Sequence, residues 1–392
     1  MKSRWKSAKI GELLSLSRET VEISPLETYK QVTVRLHHKG VVLRGEVSGQ
    51  TVKSNQYLAK QGQFIISRID ARNGAMGIVP KELDGAIVTN DFLTYDIDAS
   101  RLHPKYLDYL TSTDAFVSEC RQASEGTTNR VRLKPEIFAE IEIPLPPLDE
   151  QQRIAAILDR LMERIDEARR QREVAIKNST RLLESALREI FSSRKNVTKT
   201  LDMVCKEIID NLHSTPKYDG NEYPCIRSQD VGYGTIDFTS AKRTCENEFV
   251  ERTRRGEPTA GDIVYVREGD VGRCAVVDGS QRFSLGQRVM MFRPNHEIIN
   301  SRYLMYQLLS PPVHVDQVLP AMTGTTSRHV NIKDLKKVIV NVPPLSDQEM
   351  IVSYFDNLHA KVDELKCLQV ETEKDLDALI LSLLQKAFAG EL

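Results

Sequence analysis

The chain has 392 residues, and at roughly 100–200 residues per domain it holds two or three domains. Its 40% hydrophobic and 28% charged residues make an ordinary globular composition, and a formal net charge of −1 excludes retention on nucleic acid or membrane by bulk charge, though not a local basic cleft. No apolar run approaches the roughly 18–20 residues that cross a bilayer, and the basic start MKSRWKSAKIGELLSL lacks the apolar core of a secretory signal, so a cytoplasmic location is expected.

In chain order, Phe64-Ile65-Ile66 follows a glycine and predicts a strand. The turn leaving it, SRIDARNG, carries Arg68, Arg72 and Asn73, and VTNDF carries Asn90 and Asp91. The spacing over 102–121 predicts one helix with Pro104 in its first turn. GTTNRVR then brings Thr127, Thr128, Asn129, Arg130 and Arg132, and Ile141-Glu142-Ile143 predicts a strand stopped by prolines. No proline or glycine interrupts 150–191, which predicts a long helix. Asp149 stands three residues before Gln152, the spacing of a capping box.

The second half repeats this order. At an offset of 197, Pro146, Pro147, Leu148, Gln151, Ile154 and Asp159 recur as Pro343, Pro344, Leu345, Gln348, Ile351 and Asp356. Gly126-Thr127-Thr128 recurs as Gly324-Thr325-Thr326, and GQFIISRIDARNGAMGIV parallels GDIVYVREGDVGRCAVV. The chain is thus a tandem duplication of a unit of about 195 residues. The second copy predicts strands at Ile263-Val264-Tyr265-Val266 and Val338-Ile339-Val340, a helix over 300–309, and a second long helix over 347–389 capped by Ser346 with Glu349. Its polar turns hold Arg227 and Gln229, Arg267 and Arg273, Gln287 and Arg288, then Thr325, Thr326, Ser327 and Arg328.

These elements predict an α+β protein. Two tandem, pseudo-symmetric α/β heads, 1–147 and 193–344, are each followed by a helical region, 148–192 and 345–392. A helix of 42 residues is roughly 63 Å long. A 4-3 seam runs through Leu161, Ile165, Ala168, Arg172, Ala175, Ser179, Leu182 and Ala186, and again at the same offset in the second helix, as an antiparallel coiled coil requires. A second apolar row carries Leu158, Met162, Ile176, Leu183 and Leu187 in one helix and Phe355, Ile380, Leu384 and Phe388 in the other. That row packs either on the chain's own heads or on another subunit, and its residues are the candidate partner surface. Two related heads on paired helices make a caliper, the arrangement by which two-fold DNA readers set half-site spacing.

Catalytic signatures are missing. There is no P-loop, HExxH, zinc-deaminase or G-x-S-x-G motif, and the six cysteines show no CxxC spacing. Asn341-Val342-Pro343-Pro344 departs from an adenine-methyltransferase tetrad by its inserted valine and missing aromatic residue. His37-His38 reads as a solvated turn rather than a metal site. No catalytic or metal residue is assigned. Base reading needs Arg toward guanine, Asn or Gln toward adenine and Asp toward cytosine, and the turns named above supply these types. The two copies keep the chemical type while changing the residue, as in Asn90-Asp91 against Gln287-Arg288.

The repeated Pro-Pro-Leu-x-[Asp/Glu]-Gln blocks at 146–151 and 343–348, the paired Gly-Thr-Thr, YPCIRSQDVGYGTIDF and GDIVYVREGDVG together resemble the specificity subunit of type I restriction–modification enzymes over essentially the whole chain. The resemblance implies a non-catalytic DNA-binding subunit with two target-recognition domains, each reading one half of a bipartite asymmetric site. It implies docking of two modification subunits, which methylate adenine N6, and two motor-nuclease subunits. No cofactor is expected in this chain; S-adenosylmethionine, ATP and Mg belong to those partners. A self-sufficient DNA enzyme and a protein-only coiled-coil adaptor are the competing classes.

Overall fold

The structure is a computed structural model and describes residues 5–126, 131–192, 197–325 and 328–392. The chain divides into two compact units, and the division cuts through both long helices: 1–171 with 370–392, and 172–369.

The head of the first unit is built on a four-stranded antiparallel sheet in the order Leu14–Ser17, Phe92–Ile97, Phe64–Ser67, Met76–Ile78. Of its two inner strands, Phe64–Ser67 is buried throughout, which explains its apolar run Phe64-Ile65-Ile66, and Phe92–Ile97 buries Leu93, Thr94 and Tyr95. A five-stranded sheet lies alongside it in sequence, with Thr28–Val34 and Val41–Ser48 as its long hairpin. The helix expected over 102–121 is two helices, Pro104–Thr111 and Asp114–Gln122. The break has a local cause. Ser112 and Thr113 turn their hydroxyls back to Tyr109 O and Leu110 O, and Thr113 Oγ1 then caps the second helix by accepting from Phe116 N at 3.3 Å.

The second unit repeats the four-stranded sheet in the same order: Cys205–Ile209, Val289–Pro294, Ile263–Val266, Cys274–Val276. The accompanying layer differs. A three-stranded sheet and the helix Glu246–Thr253 replace the five-stranded sheet. The duplicated sequence therefore specifies the shared sheet, and the diverged stretches 20–60 and 210–255 specify the unshared layer.

The long helices run Leu148–Phe191 and Leu345–Ala389. Each begins two residues earlier than the capping-box spacing predicts. Pro147 O accepts from Glu150 N and Gln151 N, and Pro344 O from Asp347 N and Gln348 N, so Asp149 and Ser346 already lie inside the first turn. The recurrent glutamines have the structural role. Gln151 is fully buried; its Oε1 accepts from His103 N, and its Nε2 donates to Arg101 O and Pro146 O, at 2.8–2.9 Å. Gln348 repeats all three bonds with Asn300 N, Ile298 O and Pro343 O. Each ties a helix start to its own head.

Within each unit the two helix segments are antiparallel. In the first, Arg169 reaches Glu373 at 2.8 Å and Asp377 at 2.6 Å, while Arg153 donates to Leu392 O at 2.6 Å. In the second, Arg172 meets Gln369, and Phe191 stacks on Phe355 at 5.8 Å. The expected seam is only partly closed: Ile165 and Val362 are buried, whereas Leu182 and Leu379 stand 59% and 46% exposed.

The second apolar row is the deeper one, and this corrects its reading as a partner surface. Leu158, Leu384 and Phe388 belong to the core of the first unit, with Met162 and Ile380 packed against it. Leu187 and Phe355 belong to the core of the second, with Leu183 and Ile190 packed against it. Ile176 is half-buried. A side chain sealed in its own chain's core has no face left for another subunit, so the row satisfies the heads instead.

Candidate nucleic-acid interface

Each head gathers two turns and a short strand, Arg132–Leu133 or His329–Val330, at one end of its four-stranded sheet. Phe64–Ser67 and Phe92–Ile97 are antiparallel neighbours with Ser67 opposite Phe92, so Arg68 leaves one strand where Asp91 enters the other. Arg68 N donates to Asp91 O at 2.7 Å. The short strand Arg132–Leu133 is held beside them by Leu133 N donating to Arg68 O at 2.8 Å, and Arg68 Nε lies 3.5 Å from Leu133 O. Arg132 then closes on Asp91 at 3.0 Å, both side chains well exposed.

The second head repeats the construction. Val266 stands opposite Val289, Arg267 N donates to Arg288 O at 3.1 Å, and Val330 N donates to Arg267 O at 3.0 Å. Arg68, Asp91 and Arg132 thus correspond to Arg267, Arg288 and His329. The frame is the same and the side chains presented are different.

Arg267 is more constrained than its counterpart. It is 8% exposed, its Nε lies 3.3 Å from Asp210 Oδ1, and its Nη2 donates to His213 Nδ1 at 3.0 Å. His213 Nε2 lies 3.0 Å from Asp210 Oδ2, and His213 O accepts from Gln287 Nε2 at 2.6 Å. Arg288 is half-exposed with Glu268 at 3.4 Å. A groove of about 930 Å³ opens over Asp210, His213, Arg267, His329, Lys333 and Lys337. Asp210, His213, His329 and the two lysines were not among the sequence candidates. His329 was within reach of the duplication, since an offset of 197 carries Arg132 to it.

The turn carrying Arg72 and Asn73 is anchored through its backbone. Arg121 Nε donates to Arg72 O at 3.0 Å and His37 N to Asn73 O at 2.8 Å, with Gly74 at φ 72° closing the turn. A Cβ on Gly74 would lie 2.9 Å from the His38 ring. The matching Gly272, at φ 98°, packs against His314. His38 is therefore not the solvated residue the sequence predicted. Burial, then the neighbouring His37, pushes its imidazole down to about 4. A histidine that protonates near 6.5 when unfolded and near 4 when folded leaves the unfolded chain binding more protons between those values. Its contribution to stability is full above about 6.5 and declines as pH falls toward 4. The expected result is a difference: between pH 7.5 and pH 5 the Tm of the wild type falls further than that of His38→Gln, as thermal unfolding by circular dichroism would read. Equal falls would remove His38 from the account.

The remaining candidates are placed as follows. Asn90, Gln229, Gln287 and Arg328 are exposed. Arg227 is committed to the buried Asp230 by bonds of 3.0 and 3.1 Å and packs over Gly286. Arg273 bonds Asp270 at 2.5 Å beside the exposed Tyr233 ring. Thr128, Asn129, Arg130 and Thr326 lie outside the described residues.

The chain matches the family model for the type I restriction modification DNA specificity domain twice, at residues 2–178 and 211–373. It is 24% identical over 307 residues to the type I restriction enzyme EcoKI specificity subunit of Escherichia coli (strain K12), covering 73% of this chain and 65% of that one. It is 25% identical over 279 residues to the EcoBI specificity subunit of Escherichia coli, covering 64% and 58%. The matches thus span somewhat less than two thirds of the length of these two relatives. Among solved structures, the HsdS subunit from Thermoanaerobacter tengcongensis is 25% identical with a TM-score of 0.60, covering 100% of this chain and 98% of that one. A chain from a study of complex assembly and conformational transition of the type I R-M system has the same identity and a TM-score of 0.73, covering 99% and 98%.

Proposed function

Since the chain belongs to the type I restriction modification DNA specificity family, as a specificity subunit with two tandem DNA specificity domains, we propose that it reads a bipartite, asymmetric DNA target with one half-site per head. The observation that carries the reading is the repeated strand-end frame. Arg68 and Arg267 keep the same place in it, while Arg288 takes the position of Asp91 and His329 that of Arg132 in the second copy. One frame with exchanged side chains is what two readers of different sequences need. Asp accepts from cytosine N4 and Arg donates to guanine O6 and N7, so one position of the frame selects opposite partners of a G·C pair. Arg72, Asn73, Asn90, Gln229, Gln287 and Arg328 complete the polar surface, with backbone phosphates as targets for those that do not reach a base.

The chain itself is non-catalytic in this reading and works in the cytoplasm. It docks two modification subunits, which supply S-adenosylmethionine-dependent methylation of adenine N6, and two motor-nuclease subunits, which use ATP and Mg. The side chains available for docking are the exposed apolar residues of the long helices. Val174, Leu182, Met350 and Tyr354 lie in the second unit, and Val370, Leu379 and Leu381 in the first. No described helix is long and apolar enough to cross a membrane. The test is modified-base sequencing of host DNA with the gene intact and deleted. Loss of N6-methyladenine at one two-part motif is the expected result. Unchanged methylation, with the partner subunits shown to be present and active, would overturn it.

A further inference from the structure

The short ladder beside the helix start in each head has a different outer edge in the two copies. In the second unit Thr198–Thr200 pairs with Ile339–Asn341. Leu201 N donates to Val338 O and Val342 N to Val197 O. The alternation of an antiparallel pair then turns the N–H and C=O of Ile339 and Asn341 away from the partner strand. Side-chain amides close both. Gln317 accepts from Ile339 N at 2.8 Å and donates to Ile339 O at 3.1 Å. Gln307 does the same for Asn341 at 2.8 and 2.7 Å. Each amide stands where the peptide group of a third strand would stand.

In the first unit Ser7–Lys9 pairs with Glu142–Pro144 in the same register, flanked by Ile10 N to Ile141 O and Leu145 N to Lys6 O, both 2.9 Å. The outward positions are Glu142 and Pro144. Pro144 has no N–H, and its C=O accepts from Tyr106 Oη at 2.9 Å. Leu110 occupies the place of Gln307, and the regular helix Asp114–Gln122 replaces the irregular stretch His314–Val318 that carries Gln317. Among the described residues no side chain caps the Glu142 backbone. A groove of about 610 Å³ runs beside this edge, lined by Trp5, Leu110, Phe116, Glu119, Glu142 and Ile143 among others. Among the described residues its charged side chains are the exposed carboxylates of Glu119 and Glu142, the latter accepting from Ser7 Oγ at 2.8 Å.

We infer that this edge accepts an extended segment of a partner protein as one added strand. A basic side chain of that segment lies toward Glu119 and Glu142, and an apolar one against the partly exposed Trp5 and Ala115. Main-chain pairing supplies affinity in such an addition, and alternate side chains supply selectivity. The sister head closes the same edge with its own glutamines, so two similar heads yield one such site. The inference stands apart from the DNA reading.

Trp5 is the single tryptophan of the chain and lines the groove, so its emission reports occupancy. The full-length protein is titrated with the acetylated, amidated peptide Val-Lys-Val-Arg-Val. The expected result is a saturable change in Trp5 emission that vanishes when the peptide nitrogens are methylated. It weakens at least about tenfold in Glu119→Lys and separately in Glu142→Lys. Absence of a saturable change overturns the inference, as does a change that survives both N-methylation and charge reversal. DNA binding measured on the same variants is expected to be unaltered, which keeps a failure here distinct from a failure of the DNA reading.

Discussion

Phe388→Ala is expected to destabilise the first unit by about 3–5 kcal/mol, the usual cost of emptying a buried phenylalanine site. The residue lies near the end of the second long helix, yet its ring is fully buried in the core of the N-terminal head. It meets Tyr106 edge-on at 5.3 Å and shares the core with Ile10, Leu107, Ile154 and Leu158. Backbone hydrogen exchange followed residue by residue is the appropriate measurement, because a chain of two units need not unfold in one step. Protection is expected to fall in 5–171 and 370–392 and to persist in 172–369. Phe355→Ala, whose ring stacks on Phe191 and lies tilted against Tyr306 in the other core, is expected to give the reverse pattern. Loss of protection in the wrong unit for either variant would show that the helix halves are not exchanged between the heads.

That exchange was only half legible in the sequence. The duplication, the long helices and the seam register could be read from spacing, because an α-helix repeats its faces and a repeat keeps them. Which apolar row faces a head could not, since Leu158 and Leu161 carry the same chemistry and only the packing against Tyr106 and Phe388 separates them. The Gln151 and Gln348 amides show the same limit. Their recurrence was visible, but the spacing suggested a cap from Asp149 to Gln152, and the actual partners are carbonyls and amides of the head some fifty residues away. At the candidate interface the residue types were legible and their grouping was not. Arg68, Asp91 and Arg132 are brought together by strand pairing, and Asp210 and His213 join Arg267 from a segment with no counterpart in the repeat.

Arg288→Ala is expected to weaken binding of the complete target by about 1–3 kcal/mol, or about 5- to 150-fold, and to relax one position of one half-site. The argument rests on what Arg288 has to give up. Its side chain is 51% exposed, and its ion pair with Glu268 at 3.4 Å is a surface contact worth at most about 1 kcal/mol. The guanidinium is therefore free to trade Glu268 for a guanine edge at little cost. Arg267 is not, since Asp210 and His213 hold it in a 9%-exposed pocket, so its part is to brace the turn from which Arg288 projects. The salt dependence separates the two ways in which Arg288 could contribute. A base contact leaves the slope of affinity against salt unchanged and alters the bases selected, whereas a phosphate contact lowers the slope by about one unit and leaves selection intact. Asp91→Ala supplies the internal control, because it sits at the same point of the frame in the other head and bonds Arg132 instead. It should relax one position of the other half-site only. If both substitutions altered the same half-site, or neither altered base selection while the salt slope fell, the strand-end frame would be a backbone clamp and the bases would be read elsewhere in the heads.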